Sequence, residues 1–583
     1  MILQALTRYY ETLERAGKIA GPGWSPVKVS FALSIDSGGA LEQVISIQTE
    51  QTRGKKTVLA PQILSLPAPV KRTVGVVSNF LCDNTSYILG MDNKGKPQRT
   101  AQCFAACRSL HEEILAPVDT PAARAVLAFF HHWDPDRARE HPALADCLDE
   151  LLAGANMIFR YNGQFVHEDP VIRRAWDRHY SADSDGPRGL CLVTGEEGPV
   201  EAVHPAIKNV TGAQSSGAAL VSFNAPAFCS YGKVQNLNAP TGKYAAFAYT
   251  AALNHLLADR DHVYRVGDTT VVCWAQNGGS AYNILFGGAA FGAQTPYSEN
   301  DIRIMVRALC DGRAVNFQEE KLDPGMEFYV LGLSPNASRL SVRFFLHNTF
   351  GGFLKNVQAH YERLEIVRPA YDKWETLPIW KLLSETVNQN SRDKAPAPDL
   401  AGETLRAILN DTRYPATLLS GVTLRIRAER EINRGRAAIL KAYYLKNPHS
   451  DVPKEVLQVS LNPDSTSVPY TLGRLFSVLE GIQKEANPGI NTTIKDKYFN
   501  SAAATPAVIF PVLVNLAQKH LKKLSGSKKG LAVVYDKQLT ELFSRLGTQY
   551  PTRLNLPQQG AFQLGYYHQT QARYQKKEEN EHV

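Results

Sequence analysis

The stretch EFYVLGLSPNASRLSVRFFLH (327–347) decides the fold. Its two halves, EFYVLGLS (327–334) and RLSVRFFLH (339–347), are rich in β-branched and aromatic residues and read as strands. Downstream of it the strand pattern almost vanishes, and helices run from about 350 to the end. Upstream, strands and helices mix. The chain therefore reads as α+β: a mixed α/β body at 1–345, a helical connecting region with basic helices at 346–455, and an all-α bundle at 456–583. The segments 446–454 and 461–470 are linker-like.

Working outward, residues 1–16 read as an amphipathic helix ended by Gly17. VKVSFALSI (27–35) and EQVISIQTE (42–50) alternate around a DSGGA turn, a hairpin signal. QTRGKK (51–56) reads as a short basic loop, and the prolines of the following segment forbid a central strand. Residues 101–117, 120–133 and 143–155 are expected helices, MIFRYNG (157–163) a strand, and PVEAV and ALVSF short strands. The segment 242–258 is a helix with Ala245, Tyr249, Leu253, Leu256 and Leu257 on one face. TVVCWAQ is another strand. In the tail, 471–486, 506–524, 534–546 and 560–577 read as helices, with Thr505 and Pro506 as cap and first turn and Pro511 as a bend or restart.

With 583 residues, 44% hydrophobic and 21% charged, the composition is that of a folded globular protein, not of a collagen-like, coiled-coil or disordered chain. The eight cysteines show no CxxC spacing, which suits reduced thiols in a cytoplasmic protein. No apolar run is long enough for a membrane span, and the N-terminus lacks a signal-peptide layout. The net charge of +8 is unevenly placed. Arg413–Lys446 carries six Arg and two Lys against two Glu, a net of +6; 451–583 is +5; the rest is −3. That asymmetry favours an anionic partner such as nucleic acid.

No phosphate-cradling loop, HExxH or kinase signature is present. Cys103, Cys107 and His111 share a helical spacing, but a fourth zinc ligand is not evident, and buried cysteine is an ordinary core residue. His131, His132 and Asp134 read as a helix-end cluster. Ala213–Gly217 nearly matches GxSxG, yet a small-residue turn before a strand is the wrong order for a nucleophile elbow. No catalytic residue, metal or cofactor is expected.

Two polar stretches and two basic ones remain. Asn79, Asn84, Thr85 and Ser86 lie between apolar flanks. Gln214, Ser222, Asn224, Gln235, Asn236 and Asn238 lie in a 29-residue stretch with a single lysine. Amides both donate and accept, so they suit base edges; Phe223, Phe228 and Tyr231 suit stacking. The competing reading is a set of turns closed by side-chain hydrogen bonds. Arg53, Lys55 and Lys56 suit flanking phosphates. Arg427, Arg430 and Arg434 share a face if one helix reaches Asn433–Gly435, and Lys519, Lys522, Lys523, Lys528 and Lys529 form a second cluster; both suit a single strand.

SNFLCDNTSYILG (78–90), CLVTGEEGPVEAVHPAIKNVTGAQSSGAALVSFNAPAFCSYGKVQNLNAP (191–240), LLSGVTLRIRAEREINRGRAAILKAYYLKN (418–447), PYTLGRLFSVLEGIQKEAN (469–487) and FQLGYYHQTQARY (562–574) resemble the large subunit of the subtype I-C CRISPR Cascade complex, the Csd-type family. The resemblance spans about 1–580. It implies a subunit of a crRNA-guided surveillance complex that recognises the protospacer-adjacent motif in duplex DNA. It implies R-loop formation, contact with the displaced strand and recruitment of a separate helicase-nuclease, with no chemistry of its own. The implied partners are crRNA, target duplex, backbone subunits, the crRNA 5′-end subunit and small subunits. The bundle at 456–583 resembles the small subunit, which many members also translate internally. Met326 is the last methionine here, so such a product needs a non-AUG start, for example at Val452, Val456 or Val459. The alternatives are a metal-dependent nuclease of the same defence system, or a scaffold.

Overall fold

The computed structural model describes residues 1–53, 56–70, 72, 75–182, 187–392 and 394–581. The chain folds as two compact units, Met1–Pro205 with Val221–Leu253, and Ala206–Leu220 with Asn254–Val583. As expected, the architecture is α+β, with the sheets before residue 350 and helices after it.

In the first unit the central sheet runs Leu41–Ser46, Phe31–Ile35, Met157–Tyr161, Cys82–Asp83, with Gln164–Phe165 pairing Met157–Tyr161. Phe31–Ile35 and Met157–Tyr161 are parallel; the others are antiparallel. The expected hairpin is present, and Asp36 closes its turn by accepting the N–H groups of Gly38 and Ala40. Gly39, at φ +81°, lies against the backbone of Ala128 and Phe129, where no side chain fits. The alternating run 27–35 is divided between two sheets. Trp24–Val29 pairs with Gln62–Pro67 in a separate ribbon, so the proline-bearing strand stays at an edge. The expected basic loop is instead the end of a hairpin, Thr49–Arg53 against Lys56–Ala60.

The helices Pro97–Leu115 and Pro121–His132 contribute Cys103, Cys107, Phe129 and Phe130 to this unit's core. His111 is sealed among Phe80, Phe130 and Phe159. Its Nδ1–H donates to the Cys107 carbonyl and its Nε2 accepts the Leu81 N–H, which sets a neutral tautomer. The helix expected over 143–155 is broken into the short turns Pro142–Leu144 and Leu148–Leu152. Pro199 of PVEAV ends the short strand Glu197–Pro199, and beyond it PVEAV and ALVSF form isolated bridges, such as Val200 with Gly242.

Burial pushes His111 from 6.5 down to about 4, and His167 and His204 also fall to about 4 by burial. A folded value below the unfolded one makes this contribution complete above about pH 6.5. It is lost as pH falls through about 4. Stability to urea should therefore fall between those limits. His111→Gln should flatten the slope in that window by up to about one proton. An unchanged slope would show that His111 already titrates normally in the fold.

In the second unit an antiparallel sheet runs Val263–Val266, Thr269–Ala275, Glu327–Asn336, Arg339–Thr349. All seven residues of Thr269–Ala275 are buried, and its last five, Val271–Ala275, form a continuous apolar run. Ser280–Phe291, Glu299–Cys310 and Phe350–Leu364 pack with it, and one apolar core continues from the sheet into the C-terminal helices. The strands 263–349 thus belong with the helical half, whereas the sequence groups them with the N-terminal body. TGAQSSG is the tip of a loop closed by a bridge between Ile207 and Ala218, with no helix after it.

The helix Val468–Ala486 is the axis of the C-terminal bundle, buried around nearly its whole circumference from Tyr470 to Ile482. Leu556–Glu581 lies along it; Ile494–Ala504, Pro506–Ser527 and Lys529–Ser544 complete the bundle. Ile494–Ala504 is a helix that periodicity missed. Pro506 opens its helix as expected, but Thr505 Oγ1 donates back to the Ser501 carbonyl instead of capping. The helix runs through Pro511 without a restart.

Candidate nucleic-acid interface

The segment Ser78–Gly90 is organised around one carboxylate. Asp83 is only 1% exposed and accepts the N–H groups of Asn79 and Asn84. Arg72 grips it with both Nη atoms, donates Nε–H to the Val77 carbonyl, and lies 3.8 Å from the centre of the Tyr87 ring. Asp83 and the Asp83–Asn84 N-cap fold the segment so that Leu81 takes φ +59°, a left-handed value held by the bond to His111. Asn79 Oδ1 accepts the Val70 N–H, and Asn84 Oδ1 caps the turn Thr85–Ile88 through the Ser86 N–H. Both acceptor ends are used, while the Nδ2 donors of Asn79 and Asn84 have no partner among the described residues. Thr85 is buried, which removes it as a surface contact. Ser86 stays half-buried. Arg72 was missed because a lone arginine in an irregular segment carries no periodic signal.

The stretch 221–240 is a loop with two single-turn 3₁₀ segments, Pro226–Phe228 and Gln235–Asn238. Its base is pinned at Cys191, whose thiol accepts N–H groups from Val193, Thr194 and Gly242. Burial opposes ionisation of Cys191, but the Thr194 hydroxyl and those N–H groups outweigh it and draw the thiol down. Asn238 closes the loop from within: Oδ1 accepts the Ser230 N–H, and Nδ2 donates to the carbonyls of Lys233 and Gln235. Asn236 is buried. The burial of Asn236 and the internal bonds of Asn238 remove both as surface readers; Asn238 serves the turn, while Asn236 Oδ1 is buried with no partner among the described residues. Asn224 and Gln235 are exposed, Ser222 is half-buried, and Tyr231 is 99% exposed at φ +54°. Gln214 is exposed but belongs to the other unit.

The basic groups divide. The expected continuous arginine helix ends at Glu429, Arg430 takes φ +55°, and a new helix begins at Arg434. Arg427, Arg430 and Arg434 thus share no single helical face. Arg427 donates to Gln559 Oε1, Arg430 is exposed, and Arg434 is bonded to Asp372 and to the carbonyls of Trp374 and Glu375. All five lysines at 519–529 are exposed. Lys523 reaches Asn487 and Lys528 pairs with Glu485; Lys519, Lys522 and Lys529 have no partner among the described residues. Lys519, Lys522 and Lys523 lie before the last turn of the helix Pro506–Ser527, and that turn carries no basic residue; Lys528 and Lys529 begin the next helix, where the dipole disfavours cations. The dipole of a C-terminal turn therefore explains none of the five. Arg53 and Lys56 are paired strand residues at the hairpin end, and Lys55 lies outside the described residues.

His132 Nδ1 bonds the Gly38 carbonyl, His131 meets Arg108, and Asp134 caps the following turn, so these residues finish a helix. Among the described residues no group of three or more His, Cys, Asp or Glu is placed to hold a metal ion, and no helix is long and apolar enough to cross a membrane.

No curated protein matches the sequence. The family model described as CRISPR-associated protein (Cas_Csd1) matches residues 6–574, in agreement with the resemblance read from the motifs, and the chain belongs to this Csd1 family of CRISPR-associated proteins.

Proposed function

We propose that this chain is the motif-reading large subunit of a type I-C crRNA-guided surveillance complex. Its first unit inspects the protospacer-adjacent motif in duplex DNA, and the lysines at 519–529 hold the displaced strand and favour R-loop formation. It works with crRNA, backbone subunits, the crRNA 5′-end subunit and small subunits, recruits the helicase-nuclease, and performs no catalysis itself. The proposed division gives motif reading and docking to the first unit, a connecting role to 346–455 and a small-subunit-like role to the bundle 456–583.

The observation that carries this reading is the set of uncharged hydrogen-bonding side chains left outward by internally braced loops: Asn79, Asn84, Asn224 and Gln235. With the acceptor ends of Asn79 and Asn84 occupied, what they offer are donors. The minor groove of an A·T pair shows only acceptors, whereas a G·C pair adds the guanine N2 donor. Oriented amide donors therefore favour A·T positions. Ser222 and Ser86 supply further hydroxyl groups, and Arg53 and Lys56 flanking charge.

Asn84→Ser keeps a capping oxygen and removes the amide donor. Combined with Asn224→Ala in the assembled complex, it should reduce discrimination between matched and mismatched motifs by about 1–3 kcal/mol. Binding to motif-free duplex should stay level, since phosphate contacts supply it. Unaltered discrimination in a competition binding assay would refute the assignment.

A further inference from the structure

The second unit carries a cleft of about 380 Å³ between the segment 369–385 and the start of the helix Arg434–Lys446. Its volume is within the range of small-molecule sites. Three large aromatic side chains in this segment stay in solvent: Tyr371 is 82% exposed, Trp374 43% and Trp380 49%. Such exposure is unusual for residues that gain so much from burial. Tyr371 and Trp374 line the cleft; Trp380 meets Trp374 edge-on at 5.5 Å. The ammonium of Lys381 lies 4.5 Å from the centre of the Trp374 ring.

The aromatic groups are held ready. Asp372 donates its N–H to the Pro369 carbonyl and accepts the Trp374 N–H at 3.0 Å. Arg434 ties this turn to the helix start through Asp372 and the Trp374 and Glu375 carbonyls. Arg434 lines the cleft with its side chain nine-tenths buried, and its buried Nε has no hydrogen-bond partner among the described residues. The charge balance is also decided internally. Of the two carboxylates lining the cleft, Asp372 is paired with Arg434, and Glu385 with Arg436. Lys373 and Lys381 add two further cations to the lining, Lys381 within electrostatic reach of Asp372 and Glu385, so cations outnumber carboxylates around the cleft.

Exposed aromatic side chains beside surplus cations are the chemistry of single-stranded nucleic-acid binding, in which bases stack and phosphates meet ammonium groups. We infer that this cleft receives an unpaired nucleotide, its base on the rings of Tyr371 and Trp374 and its phosphate on Lys373 and Lys381. An acidic peptide would satisfy the lysines and leave the rings unused. The inference shares with the proposed function the expectation that this chain meets a single strand, but places a base-stacking site away from the lysines at 519–529.

The test titrates the full chain with a fluorescent twelve-nucleotide thymidine strand, the uridine strand, and an abasic strand of equal charge. Tyr371→Ala and Trp374→Ala should each weaken the thymidine strand roughly tenfold and have little effect on the abasic strand. Trp374→Phe should restore most of the loss, and Tyr371, being so exposed, can be changed without disturbing the fold. The tighter of thymidine and uridine identifies the strand the cleft serves. If both alanine variants bind within twofold of the parent while Lys519→Ala/Lys522→Ala/Lys529→Ala weakens binding, the cleft inference falls and the single-strand role of the lysines stands. If the parent binds no strand, both fall. Equal competition by a polyglutamate peptide also overturns the stacking site.

Discussion

Gly473→Val is expected to unfold the C-terminal bundle under conditions where the parent chain is stable. Gly473 lies on the axial helix Val468–Ala486, and a Cβ there would overlap the carbonyl of Phe562 on Leu556–Glu581. The relation is reciprocal: a Cβ on Gly565 would overlap the carbonyl of Tyr470. The obstruction on each side is backbone, so no rotamer change relieves it. Separating the helices would expose Phe476, Phe499, Phe562 and Tyr566, which pack edge-on around the crossing. It would also break the bond from the Tyr566 hydroxyl to Glu480, a buried carboxylate that also holds Lys484. Overpacking costs typically about 1–3 kcal/mol; against unyielding backbone on two buried helices the cost should exceed about 4 kcal/mol. Urea unfolding and proteolysis at 556–574 measure it. Gly526→Ala, at a helix position with open space, should instead stabilise by about 0.5–1 kcal/mol. A Gly473→Val chain with the parent's midpoint would refute the close crossing.

Asp83→Ala should cost about 3–5 kcal/mol, the range for breaking a buried pair by removing one partner. The lower end is expected, because Arg72 is partly exposed and regains some hydration. The loss extends beyond the ion pair. The N–H groups of Asn79 and Asn84 lose their acceptor, and the left-handed turn at Leu81 loses its brace. Hydrogen exchange at the Asn79 and Asn84 amides should rise to the rate of an open loop, and motif discrimination in the assembled complex should fall with it. A stability change under about 1 kcal/mol would show that the segment holds its shape without the carboxylate.

The candidate site was legible in part. The stretches 78–90 and 212–240 stood out because they concentrate amides and hydroxyls where charge is scarce. Their composition could not divide readers from braces. Asn224 and Asn238 are the same residue type fourteen positions apart; one faces solvent, and the other spends both ends of its amide on its own loop. Thr85 and Asn236 are buried, which composition does not record either. The cleft at Tyr371 and Trp374 has no motif, because its parts come from an irregular segment and from a helix start some sixty residues later.

From sequence alone came the α+β class, the helical C-terminal third, the placement of surplus positive charge there, and the family. Each rests on patterns local in the chain: strand and helix periodicity, runs of charge, and long residue strings. Only the tertiary structure decided that the strands 263–349 share a core with the helical half, that the arginine helix stops at Glu429, and that Arg434 serves an internal ion pair. These outcomes depend on groups far apart in sequence competing for the same buried volume and the same counter-charge. No local pattern records which partner wins.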